Sequence, residues 1–179
     1  DIFVGNKMVV KGLVFEHGNL VGIVDADALL NFTDFRVNER AFQLMEQVSG
    51  RAGRREEQGK VIVQVSNTFH PVLQFVQHHN YEALYHFEIE NREKFFYPPF
   101  SRIIQITCKH KDKNIAEEAA AILAGFLKNL YPRYVSGPVD PVVNRLRNQY
   151  LFELLLKLPK DSQFIRHCKQ FILQKFVMS

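Results

Sequence analysis

The sequence has 179 residues, of which 46% are hydrophobic and 23% charged, a composition typical of a globular protein with a substantial core. No apolar run approaches the about 18 residues of a membrane span, and the N-terminus lacks the features of a secretory signal, so a cytoplasmic protein without a membrane partner is expected. Cys108 and Cys168 lie in apolar patterns outside any C-x-x-C pair. This argues against disulfides and a zinc site and predicts buried thiols.

The net charge of +4 is unevenly distributed along the chain. Residues 1–60 carry 8 basic and 9 acidic side chains, residues 61–100 carry 2 and 4, and residues 101–179 carry 13 and 6. The positive charge therefore belongs to the last third of the chain, which indicates an anionic partner such as nucleic acid. Solubility alone is the alternative explanation.

The first part of the chain alternates between strand and helix patterns. Apolar and β-branched runs predict strands at residues 1–5, 20–24 and 60–65, and such nearly continuous apolar strands suit a parallel sheet. Helical spacing between the last two strands predicts a buried face made of Val37, Ala41, Leu44, Met45 and Val48. This alternation predicts that residues 1–68 are the end of a larger α/β domain with an incomplete parallel sheet.

A helical connector is predicted over residues 69–99. One helix is expected from Val72 to Phe96, and its candidate buried residues are Leu73, Val76, Tyr81, Leu84, Tyr85 and Phe87. The two prolines of YPPF, residues 97–100, exclude helix and favour a stiff extended link. The boundary to a second domain, residues 100–179, is therefore placed at this segment.

The second domain is predicted to be a small two-layer α+β module in the order β-α-β-β-α. Both helices are expected on one face of an antiparallel sheet. The first strand covers residues 101–110, with Ile104, Ile106 and Cys108 on one face. A helix that opens at Asn114 in a capping-box-like start is predicted to bury Ile115, Ala119, Ile122, Leu123, Phe126, Leu127 and Leu130.

The remaining pattern predicts a connection, a hairpin and a last helix. Residues 134–143, broken by proline and glycine, are expected to connect into the hairpin. Its second strand shows apolar residues at period two from Tyr150 to Leu158. Asp161 is a good N-cap for the last helix, which is expected to bury Phe164, Ile165, Cys168, Phe171 and Ile172.

The run EQVSGRAGRREEQGK, residues 46–60, is a candidate phosphate site. If the preceding helix continues through it, Gln47, Arg51 and Arg54 lie at i, i+4 and i+7 and point the same way. Gly50 adds no bulk, which leaves room for a ligand. Rigidly held guanidinium groups suit phosphate binding or an arginine-finger role. A solvated basic helix end is the alternative.

A second candidate site follows the first predicted strand, in GNKMVVKGLVF at residues 5–15. Lys7, Lys11 and Gly12 are expected in a loop at the carboxyl end of a strand, where α/β sheets bind ligands. Ordinary solvated lysines are the alternative. The chain contains no G-x-x-x-x-G-K-[ST] sequence, so it is not expected to cradle nucleotide phosphates alone.

Both runs resemble helicase motifs. QVSGRAGR resembles motif VI of superfamily 2 helicases, and KGLVF resembles their motif V. The longer stretch DADALLNFTDFRVNERAFQLMEQVSGRAGR, together with NREKFFYPPFSR and SGPVDPVVNRLRNQYLFELLLK, resembles the C-terminal end of the PriA family of replication-restart helicases. This likeness covers the whole length of the chain.

The resemblance implies a part of an ATP-dependent 3′→5′ DNA helicase that recognises stalled or branched forks and restarts replication. Residues 1–68 would end the second RecA-like lobe, and residues 100–179 would form the small C-terminal domain. ATP and Mg²⁺ are the implied cofactors of the whole protein. Zinc is implied in an upstream insertion, and none of its ligands lie in this sequence. The piece by itself is expected to be inactive.

The resemblance also implies roles for the two motif runs. Gln47 would help to position the nucleotide, and Arg51 and Arg54 would reach its γ-phosphate, with Arg54 as the finger. The implied cofactor-binding residues are Lys11, Gly12 and Gly50, and Lys7 is a nucleic-acid candidate. The family usually has an acidic residue where Val14 stands, so ATP coupling is a less certain expectation.

For the C-terminal domain the resemblance implies contacts with branched and single-stranded DNA, with single-stranded DNA-binding protein and with other primosome proteins. Arg145 and Arg147 are expected to alternate on one strand face beside Tyr150. The nucleic-acid candidates are these three residues with Arg102 and Lys109 from the neighbouring strand, because basic groups bind phosphates and an aromatic ring stacks on bases. A core Tyr150 with solvated arginines is the alternative.

Arg166 and Lys169 on the last helix are candidates for binding an acidic peptide tail of a partner protein. Two other functions stay open for the chain. One is a non-enzymatic DNA- or protein-binding module that acts without nucleotide, and the other is a structural end-cap for the helicase core. A salt-dependent DNA titration separates these alternatives, because phosphate contacts produce a steep salt dependence.

Overall fold

The computed structural model describes residues 4–5, 20–50 and 59–176. The chain divides into two compact units, Asp1–Ile89 and Glu90–Ser179. Most of the strand predicted over residues 1–5, the motif V run and most of the motif VI run lie outside the described residues. None of the helices in the described ranges is long and apolar enough to cross a membrane.

The first unit contains a parallel sheet of two strands, β1 (Leu20–Ile23) and β2 (Lys60–Val63). The parallel pairing predicted from the apolar runs is therefore confirmed for these two strands. Just beyond the strands, the Asp27 carboxylate accepts hydrogen bonds from the backbone N and the Oγ of Ser66, both at 2.8 Å. These bonds tie the carboxyl ends of β1 and β2 together.

The core of the first unit is mainly helical. Its helices are α1 (Asp27–Leu30), α2 (Val37–Ser49), α3 (Pro71–Gln77) and α4 (Tyr81–Lys94), the last of which ends in the second unit. Its buried residues are Ala26, Leu30, Ala41, Phe42, Met45, Val72, Val76 and Leu84. On α2 the prediction is confirmed for Ala41 and Met45, whereas Leu44 is half-buried and Phe42, which was not predicted, is buried. The buried arc is wider than predicted because α2 contacts both α1 and α3.

The prediction of a single helix from Val72 to Phe96 is wrong, because residues 78–80 interrupt it and separate α3 from α4. His79 has a left-handed φ of 51°, and Oδ1 of Asn80 accepts a hydrogen bond from the backbone N of Ala83 at 2.9 Å. An asparagine that caps the next helix in this way competes with helix continuation. Two residues predicted to be buried are consequently exposed, Tyr81 at 59% and Tyr85 at 50%.

The second unit is a four-stranded antiparallel sheet with two helices. The elements are β3 (Arg102–His110), α5 (Lys113–Leu130), β4 (Val135–Val139), β5 (Arg145–Leu146), β6 (Gln149–Leu158) and α6 (Ser162–Phe176). β6 lies between β3 and β4, and β5 also pairs with β6. The mixed α/β and α+β fold class predicted from the sequence is confirmed.

The core of the second unit lies between one face of this sheet and both helices. From β6 it takes Phe152, Leu154, Leu156 and Leu158, from α5 it takes five residues, and from α6 it takes Cys168 and Ile172. The period-two prediction for β6 is thus confirmed, as is the placement of both helices on one face. The predicted cap is also confirmed, because Oδ1 of Asp161 accepts hydrogen bonds from the first turn of α6 at 2.8 and 3.0 Å.

Residues 134–143 were predicted as a connection, but they contain the strand β4. Proline is tolerated there because β4 is an edge strand whose N–H groups need not all be paired. The register shifts between Ser136 and Val139. Gly137 has a φ of +99°, and a Cβ at this position would lie 2.7 Å from the Glu153 carbonyl oxygen. Only glycine fits this close approach without strain.

On α5 the prediction is confirmed for Leu123 and Leu127, but the buried face is otherwise displaced by about one position. The residues that face the core are Ala116, Ala120, Leu123, Ala124 and Leu127, whereas the larger predicted residues Ile115, Ile122, Phe126 and Leu130 are at least 42% exposed. Short alanine side chains let the helix lie close to a closely packed sheet. The helix also begins earlier than predicted, because the Asp112 carboxylate accepts from the backbone N of Asn114 at 2.8 Å and caps it.

Candidate nucleic-acid interface

The nucleotide-site candidates are only partly described. Gln47 is exposed on the last turn of α2, which ends at Ser49 with Gly50 as its C-cap at a φ of −66°. The continuous helix that would align Gln47 with the two arginines therefore ends before Arg51. The candidates Arg51, Arg54, Lys7, Lys11 and Gly12 lie outside the described residues, so their placement stays a prediction.

Two polar contacts connect α2, the helix that leads into this run, to the α3–α4 segment. Near its start, Nδ2 of Asn38 donates to Oε1 of the buried Glu88 at 2.8 Å. Near its end, the Glu46 carboxylate contacts Nδ1 of His79 at 2.9 Å. Gln47 thus projects from a helix that is held at both ends within its own unit.

The β5–β6 hairpin carries the clearest group of nucleic-acid candidates. Arg145 pairs with Tyr150 and Leu146 with Gln149, and the two residues between them, Arg147 and Asn148, have φ angles of 49° and 62°. Two left-handed residues form the type I′ turn that suits a tight hairpin. The prediction that Arg147 lies on the strand face of Arg145 is wrong, because Arg147 is the first residue of this turn.

Arg145 is held over the ring of Tyr150. The guanidinium carbon lies 5.0 Å from the ring centroid, within the range of a cation–π contact. Nη2 of Arg145 also donates to the side-chain oxygen of Asn148. Tyr150 itself is half-buried and packs against the core of its unit. The core interpretation of Tyr150 is therefore partly correct, while the exposed Arg145 stays available to an anion.

The end of β3 pairs with one edge of β6, and β5 pairs with the other edge. His110 pairs with Tyr150 and Lys109 with Leu151. Because neighbouring strands are about 4.8 Å apart, the end of β3 and β5 are separated by only about 10 Å. The sheet register therefore brings residues 109–113 next to residues 145–150.

These two segments together form a strongly basic surface, which we call the basic end. Its five basic residues, all exposed, are Lys109, Lys111, Lys113, Arg145 and Arg147. Its one acidic residue is Asp112, whose carboxylate is engaged at the start of α5. Exposed cations beside an aromatic ring can bind phosphate groups and stack on a base, and they perform no proton transfer.

The structure separates Arg102 from the other predicted nucleic-acid residues. Arg102 pairs with Leu158 at the opposite end of β6, about 24 Å along the strand from Lys109. Because successive side chains alternate, Arg102 and Lys109 also lie on opposite faces of the sheet. The peptide candidates Arg166 and Lys169 are exposed on α6, and their role stays a prediction.

His110, Lys111 and Lys113 were not predicted as nucleic-acid contacts from the sequence. Their signal was the charge run KHKDK at residues 109–113, which is visible without a structure. Its relation to Tyr150 depends on the pairing of β3 with β6, between residues 40 positions apart, and this pairing is not encoded in a local pattern.

The cysteines contribute no reactive centre to this surface. Cys168 is fully buried and Cys108 is half-buried, in line with the prediction of thiols in the core. Burial raises the pKa of both thiols above the ordinary value, which disfavours the nucleophilic thiolate. Within the described ranges no group of three or more His, Cys, Asp or Glu residues could hold a metal ion.

Comparison with known proteins identifies relatives of this chain. Residues 93–175 match the family model described as the primosomal protein N C-terminal domain. The chain is similar to replication restart protein PriA of Synechocystis sp., with 41% identity over 92% of the chain and 20% of the relative. The Bacillus subtilis protein of that name is 35% identical over 99% of the chain and 23% of the relative. The Treponema pallidum protein is 38% identical over 89% of the chain and 24% of the relative.

The chain thus spans 20 to 24% of the length of these three relatives. The family match covers most of the second unit and begins within α4. The resemblance stated from the motif runs is confirmed.

Proposed function

We propose that this chain, which belongs to the PriA family of replication restart proteins, is the DNA-contacting C-terminal part of an ATP-dependent 3′→5′ helicase that recognises stalled or branched forks. The relatives named above support a replication-restart role. The observation that carries the DNA-binding part of the proposal is the basic end of the second unit. Five exposed cations lie at this end of the sheet, and one of them, Arg145, is held over the ring of Tyr150.

The basic end supports a phosphate contact rather than a base-specific one. Lysine and arginine side chains that project from a strand end and a loop track a backbone and carry little sequence information. The ring of Tyr150, with Arg145 above it, offers a stacking surface that tolerates any base. This combination fits single-stranded or branched DNA, in which bases are exposed next to phosphates.

The first unit is proposed to supply the other half of a nucleotide site. Gln47, Arg51 and Arg54 would approach ATP and Mg²⁺ bound elsewhere in the helicase, and Arg54 would stabilise the charge that develops on the γ-phosphate. Lys11, Gly12 and Gly50 would lie beside the phosphates, and Lys7 beside the DNA. Zinc, if the whole protein binds it, would be held outside this chain.

A DNA titration at several salt concentrations tests the basic end. We expect forked and single-stranded DNA to bind this chain with a steep salt dependence, because each phosphate contact adds about 0.7 to 0.9 to the slope of log K against log salt. Arg145→Ala should weaken binding and reduce the slope by about one contact. Arg102→Ala, at the other end of the sheet, is the matched control and should leave both unchanged. Equal losses of DNA affinity in the two variants would contradict the location of the DNA contact at the basic end.

ATP hydrolysis by the longer protein that contains the upstream lobes tests the nucleotide half. Arg54→Ala should remove most of the DNA-stimulated rate, because a missing finger lowers kcat by about 10³-fold or more. The neighbouring Arg55→Ala serves as the control and should retain the rate. Intact hydrolysis in the Arg54 variant would show that the finger assignment is wrong.

A second candidate function is a binding module that acts without nucleotide. It is favoured by the second unit, residues 90–179, which has its own twelve-residue core and carries the basic end. Arg166 and Lys169 on α6 would then bind the acidic tail of single-stranded DNA-binding protein or of another primosome protein. DNA affinity of the longer protein that does not change between ATP, ADP and no nucleotide would favour this alternative.

A further inference from the structure

The strand β3 has one open edge. In the part of the chain that the structure describes, it pairs only with β6, through an unbroken register of nine residue pairs from Arg102↔Leu158 to His110↔Tyr150. In an antiparallel pair every second residue turns its N–H and C=O away from the neighbouring strand. The outer edge of β3 therefore presents a regular row of donors and acceptors.

The two edges of the same sheet differ in how well they are protected against pairing with a further strand. β4 contains Pro138 and Gly137, which has a positive φ, and its register is interrupted between Ser136 and Val139. Nζ of Lys128 also donates to the Gly137 carbonyl oxygen at 2.7 Å. Prolines and irregularities of this kind are how natural sheets block further strand pairing. β3, which is nine residues long, has neither proline nor glycine nor a bulge.

The side chains of β3 also suit an added strand. Its sequence, RIIQITCKH, is rich in β-branched residues, which favour strand pairing. Ile103, Ile104 and Ile106 are only half-buried, although two of them pack against the core of the unit. An additional strand beside β3 would cover the remaining apolar surface on both faces.

Charge decides between the possible occupants of this edge. β3 contains no acidic residue, and its ends carry Arg102 on one side and Lys109 and His110 on the other. Antiparallel pairing with a second copy would place Arg102 of one copy beside Lys109 and His110 of the other, and like charges across a strand pair are destabilising. A strand with acidic ends and an apolar centre complements the edge instead.

We propose that the open edge of β3 binds an extended segment of a partner protein by strand addition, and that this segment has acidic residues on both sides of an apolar, β-branched centre. Main-chain hydrogen bonds would give the affinity, and the charged ends would set the register. The site differs from the α6 residues Arg166 and Lys169 and lies along the side of the sheet, with only Lys109 and His110 shared with the basic end.

A peptide-binding measurement with three probes tests this proposal. The first probe is a nine-residue peptide with aspartates at both ends and alternating valine and threonine between them. The other two are the same peptide N-methylated at alternate residues, in the two possible phases. Strand addition uses only one row of peptide amides, so we expect one N-methylated peptide to bind like the parent and the other to lose more than about tenfold in affinity.

Two substitutions at exposed positions of β3 provide a matched pair. Gln105 and Thr107 are exposed. One double variant carries Gln105→Glu and Thr107→Glu, and the other carries Gln105→Lys and Thr107→Lys. Both should fold, which circular dichroism checks. The glutamate pair should weaken binding of the acid-ended peptide and the lysine pair should strengthen it, each by several-fold, because the added charges lie beside the bound strand.

Three results would overturn the proposal. The first is equal binding of the two N-methylated peptides, which would mean that no row of main-chain amides is used. The second is the absence of binding by the parent peptide at millimolar concentration. The third is a dimer in analytical ultracentrifugation that the glutamate substitutions abolish, which would identify a second copy as the occupant of the edge.

Discussion

The two units of the chain stabilise their sheets in different ways. In the first unit both strands are four residues long, and every residue of β1 and β2 is exposed or half-buried, so its core is built mainly from helices. In the second unit, β6 alternates buried and half-buried residues along most of its length, and both helices cover the buried face. A sheet that buries one face against helices and leaves the other towards solvent needs strict alternation, because a shift of one residue would exchange the two faces.

This difference matters for function. The second unit can hold exposed charges at the end of its sheet because a continuous core fixes β3, β5 and β6 in register beneath them. In the first unit the functional candidates lie at the end of α2 or in the runs outside the described residues. The position of α2 therefore depends mainly on its contacts with other helices, with a smaller contribution from β1.

The largest effect is expected from adjacent leucines of β6. Leu156 is fully buried, whereas Leu155 is half-buried on the opposite face. Leu156→Ala should lower the free energy of unfolding by about 3 to 4 kcal/mol, because it leaves a cavity in a packed core, and Leu155→Ala should cost about 1 kcal/mol or less. Urea denaturation of the two variants measures the difference. Equal losses would contradict the one-sided core of the second unit.

A smaller effect is expected from a pair of glycines in the second unit. Gly137→Ala forces a side chain into a left-handed conformation and against the Glu153 carbonyl, so it should destabilise the protein by about 2 kcal/mol. Gly125→Ala lies within α5, where nothing is within 4 Å of the added Cβ, and should stabilise by about 0.5 to 1 kcal/mol. Thermal melts compare the two. If Gly137→Ala leaves the melting temperature unchanged, the backbone of β4 must shift to make room for the added side chain.

The two units also differ in how their helices begin. α5 and α6 are capped by aspartates, whereas α3 is capped by His70, whose Nδ1 accepts from the backbone N of Val72 at 3.3 Å. Burial lowers the pKa of His70 below its ordinary value of 6.5. A histidine with a depressed pKa in the folded state contributes stability above pH 6.5 that is lost as the pH falls through and below that value.

Acidification should therefore weaken the start of α3 before it affects α5 or α6. We expect a loss of about 1 kcal/mol below pH 6.5, the typical contribution of a cap. Amide hydrogen exchange at Val72 and Leu73, measured between pH 7.5 and pH 5.5 and corrected for intrinsic rates, checks this. His70→Asn keeps an acceptor without titrating and should remove the pH dependence. If the dependence persists in that variant, another group causes it.

The smallest effect is expected at the ion pair near the end of α2. Glu46 and His79 are in contact at 2.9 Å, but the histidine side chain is 69% exposed, so solvent screens the pair. Glu46→Gln should cost only about 0.5 kcal/mol. Phe42→Ala, in the buried part of the same helix, should cost about 3 kcal/mol or more. Similar losses in urea denaturation would show that polar contacts, not apolar packing, hold α2.

Much of the local structure followed from the sequence. The period-two run of β6, the cap at Asp161 and the apolar strands β1 and β2 were all predicted correctly, because each element depends on residues that are neighbours in the chain. The same is true of the family resemblance, which rests on short motif runs. The two-helix break at His79 and Asn80 was missed because an asparagine cap inside a helical pattern gives only a weak signal.

The sequence by itself determined most of the strands and helices, where the positive charge is concentrated and to which family the chain is similar. Only the tertiary structure decided that α5 buries its alanines rather than its isoleucines, because helix-to-sheet distance depends on both partners. It also decided that Arg145 lies over Tyr150 and that Lys109 lies at the same end of the sheet, while Arg102 lies at the far end. Strand register joins residues far apart in the chain, and no local pattern specifies it.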